Sequence, residues 1–261
     1  MPCRYEESNG VAVLTLDRPD VLNAFDDELG NETLAAVRRA SDDASVRCIV
    51  ITGAGRAFSS GEDLGALQAD YESGQAPPLG NTLVNRYNPL IRAVRAAPKP
   101  VLAAINGVAA GAGASLALAC DFRIASEKAK LVLAFVKVGL VPDSGAVWFL
   151  THMVGSARAW KLAATGDPLG AEEALALGVV DRVVSLDEFD GAWRSYAEEL
   201  AAGPTRAYAL TKELVNAATH VPLDEQLDLE VDAQTAAGAT SDHLEGVQAF
   251  LGKRRAEFKG L

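Results

Sequence analysis

Cysteine is scarce in this sequence: Cys3, Cys48 and Cys120 are the only three in 261 residues, and no CxxC pair occurs. An odd, scattered set excludes a disulfide framework and a zinc cage and suits a reducing cytoplasm. Histidine is equally sparse, with His152, His220 and His243 far apart and no HExxH spacing, so no metal site is expected. Neither Ser115 nor Ser144 sits in a GxSxG elbow, which argues against a serine hydrolase. Positive charge is also short: 24 Lys+Arg against 35 Asp+Glu leave a net charge of −11. That balance argues against nucleic-acid and anionic-membrane partners, which need clustered cations. Met1 to Asn9 carries Arg4, Glu6 and Glu7 with no apolar run behind it, so no secretory signal is expected.

Charge is missing altogether from Val101 to Cys120, and Gly107 and Gly111 give that stretch a small-xxx-small spacing. A membrane span is disfavoured, because Asn106-Gly107 and Gly111-Ala112-Gly113 read as breaks and alanines supply little transfer energy. The stretch reads instead as strand, turn and buried helix. What the chain does have is an ordinary globular composition, with 49% apolar residues, enough for a sizeable core.

Short apolar runs at Val11–Leu16, Arg47–Thr52, Val101–Ile105, Phe122–Ala125, Leu131–Ala134 and Val179–Val184 read as strands. Between the first two, Leu29, Leu34, Val37 and Ala40 fall near helical spacing, with Asp26 or Asp27 as cap and Arg38 and Arg39 at the C-terminal end. Helices are expected around Val147–Met153, Ala157–Ala164 and Ala171–Leu177, and almost throughout beyond Leu186, with Pro204 and Pro222 in first turns. Ala66 to Leu79, with Gly74, Pro77 and Pro78, reads as a mobile loop. The result is an α/β core over about residues 1–200, either a spiral or a doubly wound sheet, followed by a helical part over 201–261.

Three constellations offer chemistry. Gly53-Ala54-Gly55 follows a strand but has Phe58 where a dinucleotide fingerprint needs its third glycine, so a plain tight turn is expected. Two further glycine turns, Phe58 to Leu64 and Asn106 to Ser115, point free backbone N–H groups; converging, they would form an oxyanion hole, and otherwise they are structural. The third is Gly139 to Gly145, which delivers Asp143 just ahead of a helix. Asp143 or Ser144 caps that helix, or Asp143 is a general base among Phe135, Val138, Leu140, Val141 and Trp148, where burial raises its pKa.

At these residues the sequence resembles the crotonase superfamily of enoyl-CoA hydratases and isomerases. The similar stretches are Leu16-Asp17-Arg18-Pro19 with Leu22-Asn23-Ala24, Ile49 to Leu64, Lys99 to Asp121, Gly139 to Gly145, Gly178 to Asp181 and Phe250 to Lys259. The resemblance implies a spiral of ββα units with C-terminal helices that build a homotrimer or a dimer of trimers. It implies an acyl-CoA thioester substrate, with CoA part of that substrate and no separate cofactor. The thioester oxygen would be held by Glu62 N–H and Ala112 N–H, and Ser60, Leu64, Gly111, Ser115 and Lys259 would contact the substrate. Of these, Ser60 and Leu64 fall where the adenine is lined, and Lys259 where a lysine, commonly from a neighbouring subunit, reaches the phosphates.

The sequence departs from the family's hydratases at two places. Ser115 and Phe135 stand where those enzymes have paired glutamates, while Val141-Pro142-Asp143-Ser144-Gly145 looks like the loop of members of the 1,2-epoxyphenylacetyl-CoA isomerase and enoyl-CoA isomerase kind. The expected activity is therefore isomerisation of a double bond or ring with Asp143 as acid/base. Hydratase, dehalogenase and thioesterase chemistry, or a non-catalytic acyl-CoA-binding or RNA-binding role, are the alternatives. The last ten residues carry a local +3, a focused site for phosphate on an otherwise acidic chain.

Overall fold

A computed structural model describes residues 1–74 and 77–261. Among them ten strands run in chain order: β1 Cys3–Ser8, β2 Val11–Leu16, β3 Cys48–Gly53, β4 Ala57–Ser59, β5 Val101–Ile105, β6 Val108–Ala110, β7 Phe122–Ser126, β8 Lys130–Val132, β9 Leu169–Gly170 and β10 Arg182–Val184. The helices that precede the second glycine turn are α1 Asp27–Asp42, α2 Gln68–Glu72, α3 Leu79–Thr82 and α4 Asn88–Ala96, with a π-helical turn at Leu83–Tyr87. Then come α5 Ala112–Ala119, α6 Ala146–Val154, α7 Ser156–Thr165, α8 Ala171–Ala176, α9 Phe189–Ala201, α10 Thr205–Ala217, α11 Leu223–Gly238 and α12 Ser241–Leu251.

The larger sheet has the order β1-β2-β3-β5-β7-β10 and is parallel except for the β1-β2 hairpin; the smaller has the order β4-β6-β8-β9. Central strands buried on both faces read as unbroken apolar runs, which is why VAVLTL, CIVITG and VLAAI are so plain in the sequence. Alternate residues of these strands feed two cores. Leu14, Ile49, Ile51 and Ala103 pack with α1, α4 and α5, whereas Val13, Val50, Leu102 and Ile124 pack with Phe189, Trp193 and Ala197 of α9. The uncharged stretch 101–120 is β5, β6 and the wholly buried α5, and no helix among the described residues is long and apolar enough to span a membrane.

Three readings needed correcting. β1 was not expected, yet Asn9 and Gly10, both at positive φ (51° and 74°), make the tight Asn-Gly turn that favours a hairpin. Pro204 and Pro222 stand one place earlier than expected, at the N-caps of α10 and α11. The expected loop at 66–79 contains α2, and its residues 75 and 76 lie outside the described residues. At α1 the expectation was right: the Asp26 side chain accepts from Leu29 N–H at 2.8 Å, a cap worth about 1 kcal/mol.

The three cysteines are free and buried, and burial pushes their thiols up to about 11 for Cys3 and about 12 for Cys48 and Cys120. A thiol needs its thiolate to react. The native protein is therefore expected to show no titratable thiol with a disulfide reagent at pH 8 and three after denaturation; a fast-reacting native thiol would contradict these burials.

The C-terminal helices are unevenly anchored. Helix α10 is tied to the core by Lys212, which donates to Asp121 at 2.8 Å and to Val94 O at 2.9 Å. Helix α11 has no buried residue, and Leu223, Leu227 and Val231 lie exposed along it.

Candidate active site

The segment that carries Leu22-Asn23-Ala24 builds the first glycine turn. Leu22 and Asn23 adopt positive φ (55° and 57°), and the fully buried Asn23 amide donates to the carbonyls of Ala54, Ala57 and Phe58 at 2.8 to 3.2 Å. Ser59 Oγ donates back to Asn23 O at 2.8 Å, and Ser60 N–H to Leu22 O at 2.9 Å. Phe25 then bridges the turn, donating to Gly61 O at 2.7 Å and accepting from Asp63 N–H at 2.9 Å. Arg18 closes the frame with ion pairs to Asp26 and Asp63. The peptide between Gly61 and Asp63 is thus fixed on both sides.

The second turn touches the first. Gly61 has φ +92°, and a Cβ there would lie 2.8 Å from Ala110 O and 3.3 Å from Ala112 N, so only glycine lets the two backbones approach. Gly113 does the same one step on, where a Cβ would sit 2.7 Å from Ser59. Ala112 opens helix α5, so its N–H has no intrahelical acceptor. Among the described residues neither Glu62 N–H nor Ala112 N–H has a hydrogen-bond partner. Gly53 and Gly55, by contrast, form a strand-to-strand turn between β3 and β4 with no helix behind it, as a plain turn requires.

Both free amides belong to residues that line a cavity of about 240 Å³, together with Gly111, Ser60 and Leu64. The remaining wall is chiefly apolar, with Leu79, Leu83, Phe135, Val138, Leu140 and Val141, and Asp143 lines the same cavity. Asp143 does not cap α6. That helix begins at Ala146 after Gly145 in the left-handed region, with no side-chain cap, and Ser144, also left-handed at φ 52°, donates its hydroxyl to Asp143 Oδ1 at 2.8 Å. Burial, the largest cause, pushes the Asp143 pKa above the ordinary range; the Ser144 hydrogen bond opposes this and the Glu62 charge adds to it.

Ser115 and Lys259 are placed differently from the other candidates. Ser115 is fully buried and does not line the cavity; its hydroxyl lies 3.2 Å from Gly111 O and 3.1 Å from Asp143 O, linking the second glycine turn to the Asp143 loop. Lys259 is exposed and away from the cavity, on a tail held by Asp242, which accepts from the Lys259 and Gly260 N–H groups at 2.7 Å each.

Sequence reasoning missed two residues. The Glu62 carboxylate also lines the cavity, and it is held by Arg86 Nη2, at 2.5 Å from Oε1 and closer to Oε2, and by the Tyr87 hydroxyl. Arg86 is itself buried, its side chain filling the space a Cβ at Gly30 would occupy. The only hint in the sequence was an Arg-Tyr pair at the start of a helical stretch.

Comparison with known proteins decides the family. The model of the enoyl-CoA hydratase/isomerase family matches residues 6–261. The chain belongs to the enoyl-CoA hydratase/isomerase family. It is 45% identical over 251 residues to 1,2-epoxyphenylacetyl-CoA isomerase of Escherichia coli K12, covering 96% of this chain and 95% of that one. It is 46% identical over 257 residues to a Rhodobacter capsulatus protein named "Probable enoyl-CoA hydratase", covering 98% and 97%. The crystal structure of an enoyl-CoA hydratase from Polaromonas sp. JS666 superposes with a TM-score of 0.92 at 35% identity, covering 98% and 99%. The fold is thus the crotonase fold, and the family's isomerase and hydratase names both occur among relatives of similar identity.

Proposed function

We propose that this family member is an acyl-CoA isomerase. The observation that carries the reading is the juxtaposition, around one cavity, of two unpartnered amides on touching turns and the half-buried carboxylate of Asp143. With the thioester oxygen on Glu62 N–H and Ala112 N–H, loss of a proton from C2 places charge on that oxygen, where fixed donors stabilise it. Asp143 takes the C2 proton of a 3-enoyl thioester and returns it to C4, so the 3,4 double bond moves to 2,3 and the carboxylate is regenerated.

Adding water would need a second positioned acid or base. Positions 115 and 135 hold serine and phenylalanine. The other carboxylate at the cavity, Glu62, has its oxygens engaged by Arg86 and Tyr87. This favours isomerisation over hydration, and over the dehalogenase and thioesterase reactions, which also consume water.

The CoA portion is read as running past Ser60 and Leu64. Lys259, exposed and away from the cavity in its own chain, meets phosphates from a neighbouring subunit. The exposed apolar side chains of α11 support a homotrimer or a dimer of trimers, and the free cysteines suit a reducing cytoplasm.

The test is to incubate the protein with a 3-enoyl-CoA and separately with crotonyl-CoA, following the absorbance of the conjugated thioester. Isomerisation creates the signal from the first substrate and leaves the second unconsumed. Loss of signal from crotonyl-CoA, with no gain from the 3-enoyl thioester, would overturn the reading in favour of hydration.

A further inference from the structure

We infer that Arg86 and Tyr87, acting through the Glu62 carboxylate, are positioning residues that fix the peptide presenting the first oxyanion donor and set the charge that Asp143 faces. The inference rests on the isomerase reading above and gives Arg86 and Tyr87 a positioning role beyond the part they play in that reading, where they only keep Glu62 from serving as a second acid or base.

The geometry is unusual for a residue whose proposed contact with substrate is its main-chain amide. Glu62 could have any side chain and still offer its N–H. Yet its carboxylate is turned inward, gripped by a guanidinium on both oxygens and by a phenol on one. Arg86 is 5% exposed, and the slot for its side chain exists because Gly30 of α1 has no side chain: a Cβ there would stand 2.4 Å from Arg86 Cδ. Arg86 also donates to Asp27 at 3.0 Å, but Asp27 is almost fully solvated, so Glu62 is the partner that matters. The Arg86 guanidinium lies 4.7 Å from the Tyr87 ring centre, and Phe25, which bridges the oxyanion turn through its backbone, meets the same ring edge-on at 6.0 Å. Side-chain clamp and backbone bridge therefore hold the same peptide from two directions.

Electrostatics gives the clamp a second consequence. Among the described residues, the titratable groups that share the cavity with Asp143 are Glu62, Tyr71 and Tyr87. Of these only Glu62 brings negative charge at neutral pH, and that charge opposes ionisation of Asp143. Arg86 partly neutralises it, and the Tyr87 hydroxyl disperses it through a hydrogen bond. A site with the clamp intact thus holds Asp143 raised by burial, but not by the full charge of a bare neighbouring carboxylate.

Opposite substitutions should move Asp143 in opposite directions. The readouts are the pH profile of kcat/KM on a 3-enoyl-CoA and, independently of turnover, the carboxyl carbon shift of Asp143 in protein labelled with 13C-aspartate, assigned by its loss in Asp143→Asn. Glu62→Gln, which keeps the shape and an acceptor, is expected to move the acidic limb and the NMR titration down by on the order of one pH unit. Arg86→Met is expected to move both up, Tyr87→Phe to move them up by less, and Arg86→Lys to restore most of the wild-type position. Should Arg86→Met fail to fold, Glu62→Gln and Tyr87→Phe carry the test. Unmoved titrations in those two variants, with Asp143→Asn still inactive, would overturn the clamp and leave the isomerase reading intact. An active Asp143→Asn enzyme would overturn that reading itself, while the NMR titration would still report whether Glu62 controls the ionisation of Asp143.

Discussion

Asp143→Asn is expected to lower kcat/KM on a 3-enoyl-CoA by roughly 10²- to 10⁴-fold, the usual contribution of a positioned acid/base. Asparagine keeps the volume and an acceptor for the Ser144 hydroxyl, so the loss isolates proton transfer from packing. The wild-type rate should rise with pH as Asp143 ionises, and this acidic limb should vanish in the variant. Stability should change in the opposite sense to activity. Because the folded-state pKa of Asp143 is raised, its contribution to stability is fully present below the unfolded-state pKa and is lost as pH rises through the folded-state value. At neutral pH the wild type carries that penalty and the variant does not. Thermal melts should therefore show Asp143→Asn with the higher Tm at pH 7, the gap closing as pH falls into the ordinary aspartate range. A variant that keeps full activity, or melts lower at pH 7, would contradict the assignment.

Ala112→Pro is the second large effect. Proline removes the N–H proposed to hold the thioester oxygen, and it does so at the first position of α5, where its fixed φ suits a helix and no intrahelical bond is lost. The expected cost is roughly 10²- to 10³-fold in kcat, as for loss of one oxyanion donor. Ala112→Gly, which keeps the amide, should stay within a few-fold of wild type. Equal loss in both variants, or none in either, would place the donor elsewhere.

How much of this was legible in the sequence depended on the range of the interactions. Buried parallel strands such as Ile49–Ile51 announce themselves as apolar runs, whereas β4, β6 and β9, two or three residues each, give no periodicity to read. Asp143 was visible because its loop is a contiguous motif. Its expected capping role failed because consecutive left-handed residues, Ser144 and Gly145, carry the chain into α6 and turn the hydroxyl toward the carboxylate instead. Glu62 was read only as a peptide. The partners of its side chain lie 24 and 25 residues further along, on another element, and no local pattern connects them. Ser115 was read from its place in a motif, but full burial makes it a strut between two loops rather than a wall of the cavity.

The division of labour between main chain and side chain has an evolutionary consequence. The proposed anion site is written in peptide amides held by glycines that cannot be exchanged without collision, so any substitution at Glu62 or Ala112 other than proline changes the side chain but spares the donor. On the isomerase reading, the fate of the proton is written in side chains, at positions such as Phe135 and Asp143 that line the same cavity. A lineage can relocate its carboxylate without rebuilding the cradle for the oxygen. Relatives of nearly equal identity can then carry names for different reactions.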